Sequence, residues 1–363
     1  MQNMPTYKII GLTYLAVGIL TCLAMLTGYL RTRSLNLDKL PLTKLLVWVC
    51  RLLVGALFFY SGFVKANDFI GFGYKLEEYF YVFKMPFMVP YAETLAWFIS
   101  IFEIALAFAI VLGFRMRQTA WLALLMMIFF TWLTGYSHFT GKVTDCGCFG
   151  DALKIKPWES FTKDLILLLM LIPVFLARKY IRPVPSSKIA GFVVLGAFVL
   201  SGAYAYWCHQ NLPLIDYRPY KVGVDLNECT TVPGPEGIPK CKDWYLEFLI
   251  GEEFPVFEGN TLMIDLYYMD KAPEVALRES AELARALPPD VRVVGLTNTS
   301  PSVVQQLIEQ YGIPYPFAFL DETVLKTIIR SSPGYVLLKD GVILQKWHYN
   351  NRPSAKEIEA LLR

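Results

Sequence analysis

Residues 89–113 read VPYAETLAWFISIFEIALAFAIVLG, and Glu93 and Glu103 are the only charged residues in this stretch. A helix needs about 20 consecutive apolar residues to cross the hydrocarbon core of a bilayer. The stretch therefore predicts a transmembrane helix, and the same test selects five further segments. The six predicted spans cover residues 7–30, 43–64, 89–113, 118–139, 162–180 and 188–208.

The composition agrees with a membrane protein that carries a soluble domain. Hydrophobic residues make up 55% of the 363 residues and charged residues only 18%. Residues 1–207 hold 19 basic and 10 acidic residues, whereas residues 208–363 hold 15 basic and 21 acidic residues. A basic, apolar part thus precedes an acidic part of ordinary hydropathy. These numbers exclude a nucleic-acid-binding surface, and seven cysteines are too few for a disulfide-dense small protein.

The charges of the loops predict the orientation. Lys and Arg residues concentrate in cytoplasmic loops, and here they lie between spans 1 and 2, 3 and 4, and 5 and 6. Loops 65–88 and 140–161 then face outward, and residues 68–90 read as an amphipathic interfacial helix with a turn. We expect a bacterial inner-membrane protein in contact with lipid, whose chain after Cys208 is periplasmic. The basic residues that set this orientation are Arg31, Arg33, Lys39, Lys44, Arg115, Arg117, Arg178, Lys179, Arg182 and Lys188.

The last third of the chain reads as a soluble α/β domain. Residues 211–260 form an extension rich in Pro and Gly, with a predicted hairpin at 244–256. From residue 261, strand and helix patterns alternate and end in a hairpin across Lys339, Asp340 and Gly341. The order predicts a sandwich of helices and a mixed sheet. The predicted strands are 261–268, 291–297, 316–320, 335–338 and 342–347, and the predicted helices are 273–287, 302–311, 322–330 and 354–362.

This domain resembles thioredoxin-like proteins. Ser332 and Pro333 directly precede the terminal hairpin, where that family has a cis-proline, so the resemblance implies a cis peptide bond at Pro333. The family places a Cys-x-x-Cys pair after the first strand, but residues 268–272 read YMDKA and contain no cysteine. The resemblance therefore implies a domain that binds or positions a partner and does not exchange disulfides at the usual place.

Residues 144–151, TDCGCFGD, contain the chemically most distinctive motif of the chain. Gly147 allows Cys146 and Cys148 to approach each other, but good disulfide geometry is difficult at this spacing. Such a bond would be easily reduced and would suit a disulfide donor. Two other interpretations stay open: a structural clasp in an oxidising compartment, and half of a soft-metal site that needs further ligands such as His138. His138 is also a candidate proton acceptor.

The membrane part resembles the DoxX-like superfamily, specifically its MauE (methylamine-utilisation) branch. The resemblance rests on Ser61-Gly62-Phe63-Val64-Lys65, on Glu103 and on the Cys-x-Cys loop, and it covers roughly residues 43–180. It implies a membrane component of periplasmic disulfide chemistry that works with a thioredoxin-like protein. Other DoxX-like relatives are associated with quinone-linked sulfur oxidation. The predicted organisation is an extra span and cytoplasmic loop (1–42), the four-helix domain (43–180), a sixth span (181–210), the extension (211–260) and the thioredoxin-like domain (261–363).

Two charged residues within the predicted spans are candidate site residues. We estimate that Arg51 and Glu103 lie at similar depth, so we expect them to pair. Ionisable residues in hydrocarbon are costly and are functional candidates by default, here as a quinone pocket or a proton path, although a structural clamp between two helices is the alternative. Lys65, near the outer boundary, is expected to extend its charge towards water.

The remaining cysteines have simpler interpretations. Cys229 and Cys241 flank a turn in the extension, and we expect a loop-closing disulfide between them, with exchange against Cys146 and Cys148 as the alternative. Cys22 and Cys50 read as packing residues within spans, and Cys208 as the odd thiol.

Two functions follow from the sequence. The first is a thiol-disulfide oxidoreductase that oxidises a periplasmic client through Cys146 and Cys148, with a quinone as the candidate electron acceptor. The second is a membrane anchor or assembly subunit without enzymatic activity, whose redox-inactive domain binds a periplasmic or lipoprotein partner. The missing Cys-x-x-Cys pair favours the second function.

Overall fold

A computed structural model describes residues 6–32, 37, 40–143, 147–153, 155–227 and 258–363. The chain divides into two compact units, Met1–Tyr206 and Trp207–Arg363. The hairpin predicted at 244–256, Cys146, and the Cys229–Cys241 pair lie outside the described residues.

The first unit is a bundle of membrane-spanning helices. Six helices of the described chain are long and apolar enough to cross a bilayer, as the sequence predicts. A shorter helix, α3, lies between the second and third of these. In chain order the helices are α1 (Thr6–Thr32), α2 (Pro41–Asn67), α3 (Phe69–Val82), α4 (Ala92–Leu112), α5 (Met116–Thr140), α6 (Pro157–Ala177) and α7 (Ser187–Gln210), the last of which continues into the second unit.

The helix ends are determined by local chemistry. Pro41 and Pro157 begin α2 and α6, where the missing N–H of proline costs nothing. The Asp68 side chain accepts a hydrogen bond from the Gly71 N–H and caps α3. At Gly113 the backbone is left-handed (φ 70°), which ends α4. These ends determine where each connecting loop begins.

Two glycines bring α2 against α4. A Cβ atom placed at Gly62 would lie 2.9 Å from the Ser100 carbonyl oxygen and 2.8 Å from Ile104 Cγ1. About two helical turns earlier on α2, a Cβ atom at Gly55 would lie only 2.3 Å from Val111 Cγ2. Larger side chains at either position would push the helices apart, as in other membrane helix pairs packed on small residues. The close approach puts the polar residues of α2 directly against α4.

The second unit contains a five-stranded sheet, which is mixed, as the sequence predicts. The strand order is β3-β2-β1-β4-β5, with β1 parallel to β2, β2 parallel to β3, and β4 antiparallel to β1 and β5. The Ser332–Pro333 peptide bond, directly before β4, is cis. The strands are β1 (Asn260–Asp265), β2 (Val291–Thr297), β3 (Phe317–Phe319), β4 (Gly334–Lys339) and β5 (Val342–His348), and the helices are α8 (Glu274–Ala286), α9 (Pro301–Tyr311), α10 (Glu322–Ile328) and α11 (Ala355–Leu362).

Charged residues are buried on one face of this sheet. Lys346 of β5 donates hydrogen bonds to Asp216 Oδ2 (2.7 Å) and to the Tyr220 carbonyl (2.8 Å), and burial, with Arg218 nearby, lowers the pKa of Lys346 to about 7. Asp265 at the end of β1 is completely buried, and neither of its carboxyl oxygens has a hydrogen-bond partner among the described residues. Burial raises the pKa of Asp265 well above the ordinary value.

Candidate functional site

The end of the Cys-x-Cys motif lies on a polar patch formed by α2, α3 and α6. Gly147 and Gly150 have positive φ angles (66° and 48°), and the Gly150 N–H donates to the Gly147 carbonyl to close a turn. A Cβ atom at Gly147 would lie 3.0 Å from Lys75 Cγ on α3. Glycine is therefore needed both for the turn and for the close contact with α3.

A chain of hydrogen bonds connects this loop to the interior of the bundle. Ser61 Oγ donates to the Cys148 carbonyl oxygen (3.1 Å), and Lys65 Nζ donates to Ser61 Oγ (3.1 Å). Lys65 Nζ also donates to Glu103 Oε1 at 2.5 Å. Ser61 and Lys65 are one helical turn apart on α2, so both side chains reach the same side of the helix. The motif residues that are far apart in the sequence thus form one cluster.

Lys65 is buried, contrary to the expectation that its charge extends towards water. The Lys65 and Glu103 side chains are only 3% and 2% exposed. Besides the ion pair, Lys65 Nζ lies 5.0 Å from the ring centroid of Phe72 and 4.9 Å from that of Phe130. A carboxylate and two aromatic faces replace water around the ammonium group, which is how a membrane bundle tolerates a buried cation.

A second pair of opposite charges comes from α6. Asp164 Oδ2 accepts a hydrogen bond from Thr134 Oγ1 of α5 (2.9 Å), and Lys163 Nζ lies 2.8 Å from Asp164 Oδ1. Lys163 Nζ is also 4.8 Å from the ring centroid of Phe149 in the loop. These two residues are not among the predicted site residues, because adjacent opposite charges at the start of a predicted span look like ordinary boundary charges. Their closeness in sequence to the Cys-x-Cys loop was the available signal.

These side chains line one small cavity of about 30 Å³. Its polar lining consists of Ser61, Lys65, Glu103, Lys163 and Asp164, together with Cys148. One water molecule needs about 10–15 Å³ measured in this way, so about two waters fit. Glu103 Oε2 is buried and has no hydrogen-bond partner among the described residues. The cavity therefore offers a carboxylate oxygen to a small polar guest.

The cavity does not fit a quinone. An engineered apolar cavity of about 150 Å³ binds benzene, and that volume is several times the volume beside Glu103. The quinone stays a prediction of the sequence.

The predicted pairing of Arg51 with Glu103 is wrong. Arg51 donates to the carbonyls of Ile110 (Nε, 3.0 Å) and Val111 (Nη2, 2.6 Å) at the C-terminal end of α4, and its guanidinium lies 4.4 Å from the ring centroid of Trp48. The depth estimate failed because Glu103 packs level with Gly62, which is 11 residues from Arg51, or about 16 Å along a helix. Arg51 satisfies the last carbonyls of α4, a structural use of a cation.

His138 is separate from the cavity. It lies exposed in the last turn of α5, where its ring is 4.9 Å from the ring centroid of Phe139 and 6.2 Å from that of Phe161. It is not among the side chains that line the cavity. Its predicted roles as proton acceptor or metal ligand stay predictions. Cys50 is buried beside Thr21, with 3.3 Å between Sγ and Oγ1, in agreement with a packing role.

Comparison with known proteins adds one finding to this geometry. The model of one protein family, described as methylamine utilisation protein MauE, matches residues 43–177. This region is MauE-like. The MauE-like region contains Ser61, Lys65, Glu103, Cys148, Lys163 and Asp164, so the whole cluster lies within the matched residues. No curated protein and no solved structure matches the chain.

Proposed function

We propose that this protein is a membrane component of thiol-disulfide chemistry in which Cys146 and Cys148 exchange with a client protein. The observation that carries the proposal is the attachment of Cys148 to the buried Ser61–Lys65–Glu103 cluster. A loop that served only as a clasp would need no buried ion pair beneath it, and buried charges in membrane helices are retained at a cost. Nearby cations also favour the thiolate form in which cysteine reacts.

The reaction is a two-step exchange. A client thiolate attacks one sulfur of the Cys146–Cys148 disulfide, so that this bond breaks and a mixed disulfide forms. The second client thiolate then attacks the mixed disulfide and releases the client in its oxidised form. Two electrons and two protons pass from the client thiols to Cys146 and Cys148. The disulfide of the pair is the oxidant, and the client dithiol is the reductant.

The proposed location is the bacterial inner membrane with the Cys-x-Cys loop on the periplasmic side. The basic loops around Arg33, Arg117 and Arg182 support a cytoplasmic position for the opposite ends of the helices. Alternation through six spans then makes the chain after α7 periplasmic as well. Reporter fusions after these three arginines should report cytoplasm, and fusions at Lys142 and after Asn211 should report periplasm.

We further propose that the second unit is a thioredoxin-like domain that binds a partner. Support comes from the sheet order β3-β2-β1-β4-β5 and from the cis peptide bond before β4. A short 3₁₀ helix, Met269–Lys271, follows β1 where a redox pair would stand, and it contains no cysteine. This observation favours a binding role for the domain and keeps the second candidate function, a non-enzymatic anchor or assembly subunit.

Thiol trapping in cells separates the two functions. If the pair exchanges disulfides, rapid alkylation should find Cys146 and Cys148 in both oxidised and reduced forms, and Cys148→Ser should accumulate mixed disulfides through Cys146. Cys22→Ser is the matched control, because that thiol lies within α1 beside the Leu169 carbonyl. A permanently oxidised pair, together with full function after either change to Ser, would support the anchor.

A further inference from the structure

The cavity below Cys148 contains a carboxylate oxygen that the exchange reaction leaves without a role. Glu103 Oε1 is occupied by Lys65 Nζ, whereas Glu103 Oε2 has no hydrogen-bond partner among the described residues although the residue is 1% exposed. A buried, unsatisfied polar atom costs roughly 1–3 kcal/mol, and more for a charged group. The unsatisfied Glu103 oxygen therefore destabilises the centre of the cluster, and this cost suggests that the oxygen has a function.

The volume and the polar lining of the cavity favour water as the molecule bound there. About 30 Å³ accommodates about two water molecules, and the polar lining offers both donors and acceptors. Lys65 and Lys163 can donate, while Glu103, Asp164 and the hydroxyl of Ser61 can accept. A buried water usually makes about three hydrogen bonds, and this lining supplies them. Cys148 and Glu103 line the same cavity, so water bound there would lie between the two residues.

We propose that Glu103 accepts the proton of the Cys148 thiol through water in this cavity, while Lys65 compensates the charge of the thiolate. The proposal rests on the proposed thiol-disulfide function. In this step the S–H bond of Cys148 breaks, and a proton moves along the water to Glu103 Oε2, which becomes the O–H of a neutral carboxylic acid. The water loses and regains one proton.

Charge balance explains why an ion pair is needed in place of a lone lysine. Before the transfer, Lys65 is positive, Glu103 is negative and Cys148 is neutral. Afterwards, Lys65 is positive, Glu103 is neutral and Cys148 is negative. The net charge of the cluster is the same in both states, so forming the thiolate adds no uncompensated charge to a region of low dielectric constant.

The other charged groups around the cavity are already paired. Asp164 is held by Thr134 and Lys163, and Lys75 on the loop side of α3 is 2.9 Å from Glu78. Glu103 Oε2 is therefore the carboxylate oxygen of this lining that is open to accept a proton. Asp164→Asn should change the transfer less than Glu103→Gln does.

The first test measures the reactivity of the Cys148 thiol in the reduced full-length protein. Alkylation of Cys148 by iodoacetamide is followed by peptide-resolved mass spectrometry over a range of pH. Glu103→Gln removes the proton acceptor, so alkylation of Cys148 at neutral pH should be about a hundredfold slower, the low end of what a positioned base contributes, although the uncompensated Lys65 by itself favours the thiolate. Glu93→Gln is the matched control, since Glu93 is an exposed carboxylate on the same helix; its curve should coincide with that of the wild type.

The second test is decided first on the wild type, and variants serve only to assign the band. Infrared difference spectra of the wild type, reduced minus oxidised, should show a protonated carboxylic acid band at a pH where Cys148 is a thiolate. The band should be absent from Glu103→Gln and present in Glu93→Gln. A wild-type spectrum without the band, or an unchanged alkylation curve for Glu103→Gln, would overturn the proposal.

The two proposals can fail separately. The alkylation rate of Cys148 and the carboxyl band are both measured on purified protein without a client. Loss of both signals with normal cycling in cells would reject the role of Glu103 and leave the exchange function in place. Both signals present without cycling in cells would leave the proton acceptor in place and reject the client reaction.

Discussion

The buried ion pair between Lys65 and Glu103 allows a quantitative test of the packing described here. Lys65→Met leaves a carboxylate, and Glu103→Leu leaves an ammonium, inside a bundle where both side chains are at most 3% exposed. Removing one partner of a buried pair typically costs about 3–5 kcal/mol, whereas replacing both by apolar residues is often neutral. We therefore expect each single variant to lose about 3–5 kcal/mol and the double variant to lose less than either.

The assay is a double-mutant cycle on the full chain in detergent, with the free energy of unfolding measured by denaturant titration. The coupling energy of Lys65 with Glu103 should reach about 3 kcal/mol or more, from the same range for a broken buried pair. Lys75 and Glu78 provide the matched control, because their side chains are 29% and 36% exposed and lie three residues apart on α3. Their coupling should be about 0.2–0.5 kcal/mol.

A coupling energy below about 1 kcal/mol for Lys65 and Glu103 would put the pair in the range of exposed ion pairs. That result would refute the expectation that burial strengthens this ion pair. A double variant less stable than either single variant would refute it too, because it would mean that the two residues stabilise the bundle independently.

Three further predictions concern packing, helix termination and pH. Gly62→Ala should lower the free energy of unfolding by about 1–3 kcal/mol through overpacking. Gly196→Ala should not lower it, because the added Cβ meets no atom within 4 Å. Equal effects of the two substitutions would contradict the close approach of α2 and α4. Arg51→Met should destabilise the bundle, since each hydrogen bond from a charged donor contributes about 1.5–3 kcal/mol. It should leave the alkylation curve of Cys148 unchanged. A changed curve would indicate that Arg51 affects the reaction of Cys148. Burial raises the pKa of Asp265, so above the ordinary pKa of 3.8 the folded state holds a proton that the unfolded state releases. The free energy of unfolding should therefore fall as pH rises above 3.8, by up to about 1.4 kcal/mol per pH unit. In thermal melts Asp265→Asn should flatten this pH dependence, whereas Asp290→Asn, at an exposed position, should not.

The spans and the alternation of strands and helices could be predicted because each depends on local patterns. An apolar run such as residues 89–113 and the hairpin turn at Asp340 and Gly341 need no knowledge of distant residues. The family resemblance indicated that Ser61, Lys65 and Glu103 belong with the Cys-x-Cys loop. It did not predict the hydrogen bonds that connect these residues to each other and to Cys148.

The errors at the site have one physical origin. Depth along a helix was counted from predicted ends, and this count does not fix which residues of two packed helices face each other. Gly62 determines that alignment by its close contact with Ser100, and it brings Glu103 to Lys65 rather than to Arg51. Asp164 was missed because Lys163 and Asp164 look like ordinary boundary charges, and the contact of Asp164 with Thr134, 30 residues earlier on another helix, is not visible in the sequence.

The position of Glu103 in the middle of α4 has a consequence for how the protein is made. A charged residue at the centre of a span raises the free energy of insertion into the bilayer by about 2.5–3.5 kcal/mol, which the apolar residues of the same span must offset. The surrounding α4 sequence is the most apolar of the six spans. Lys65 precedes Glu103 in the chain, so the cation is already synthesised when the carboxylate enters the membrane. Early association of α2 with α4 would then shelter both charges from lipid, and Lys65→Met should reduce the yield of correctly inserted protein during synthesis as well as the stability of the finished molecule.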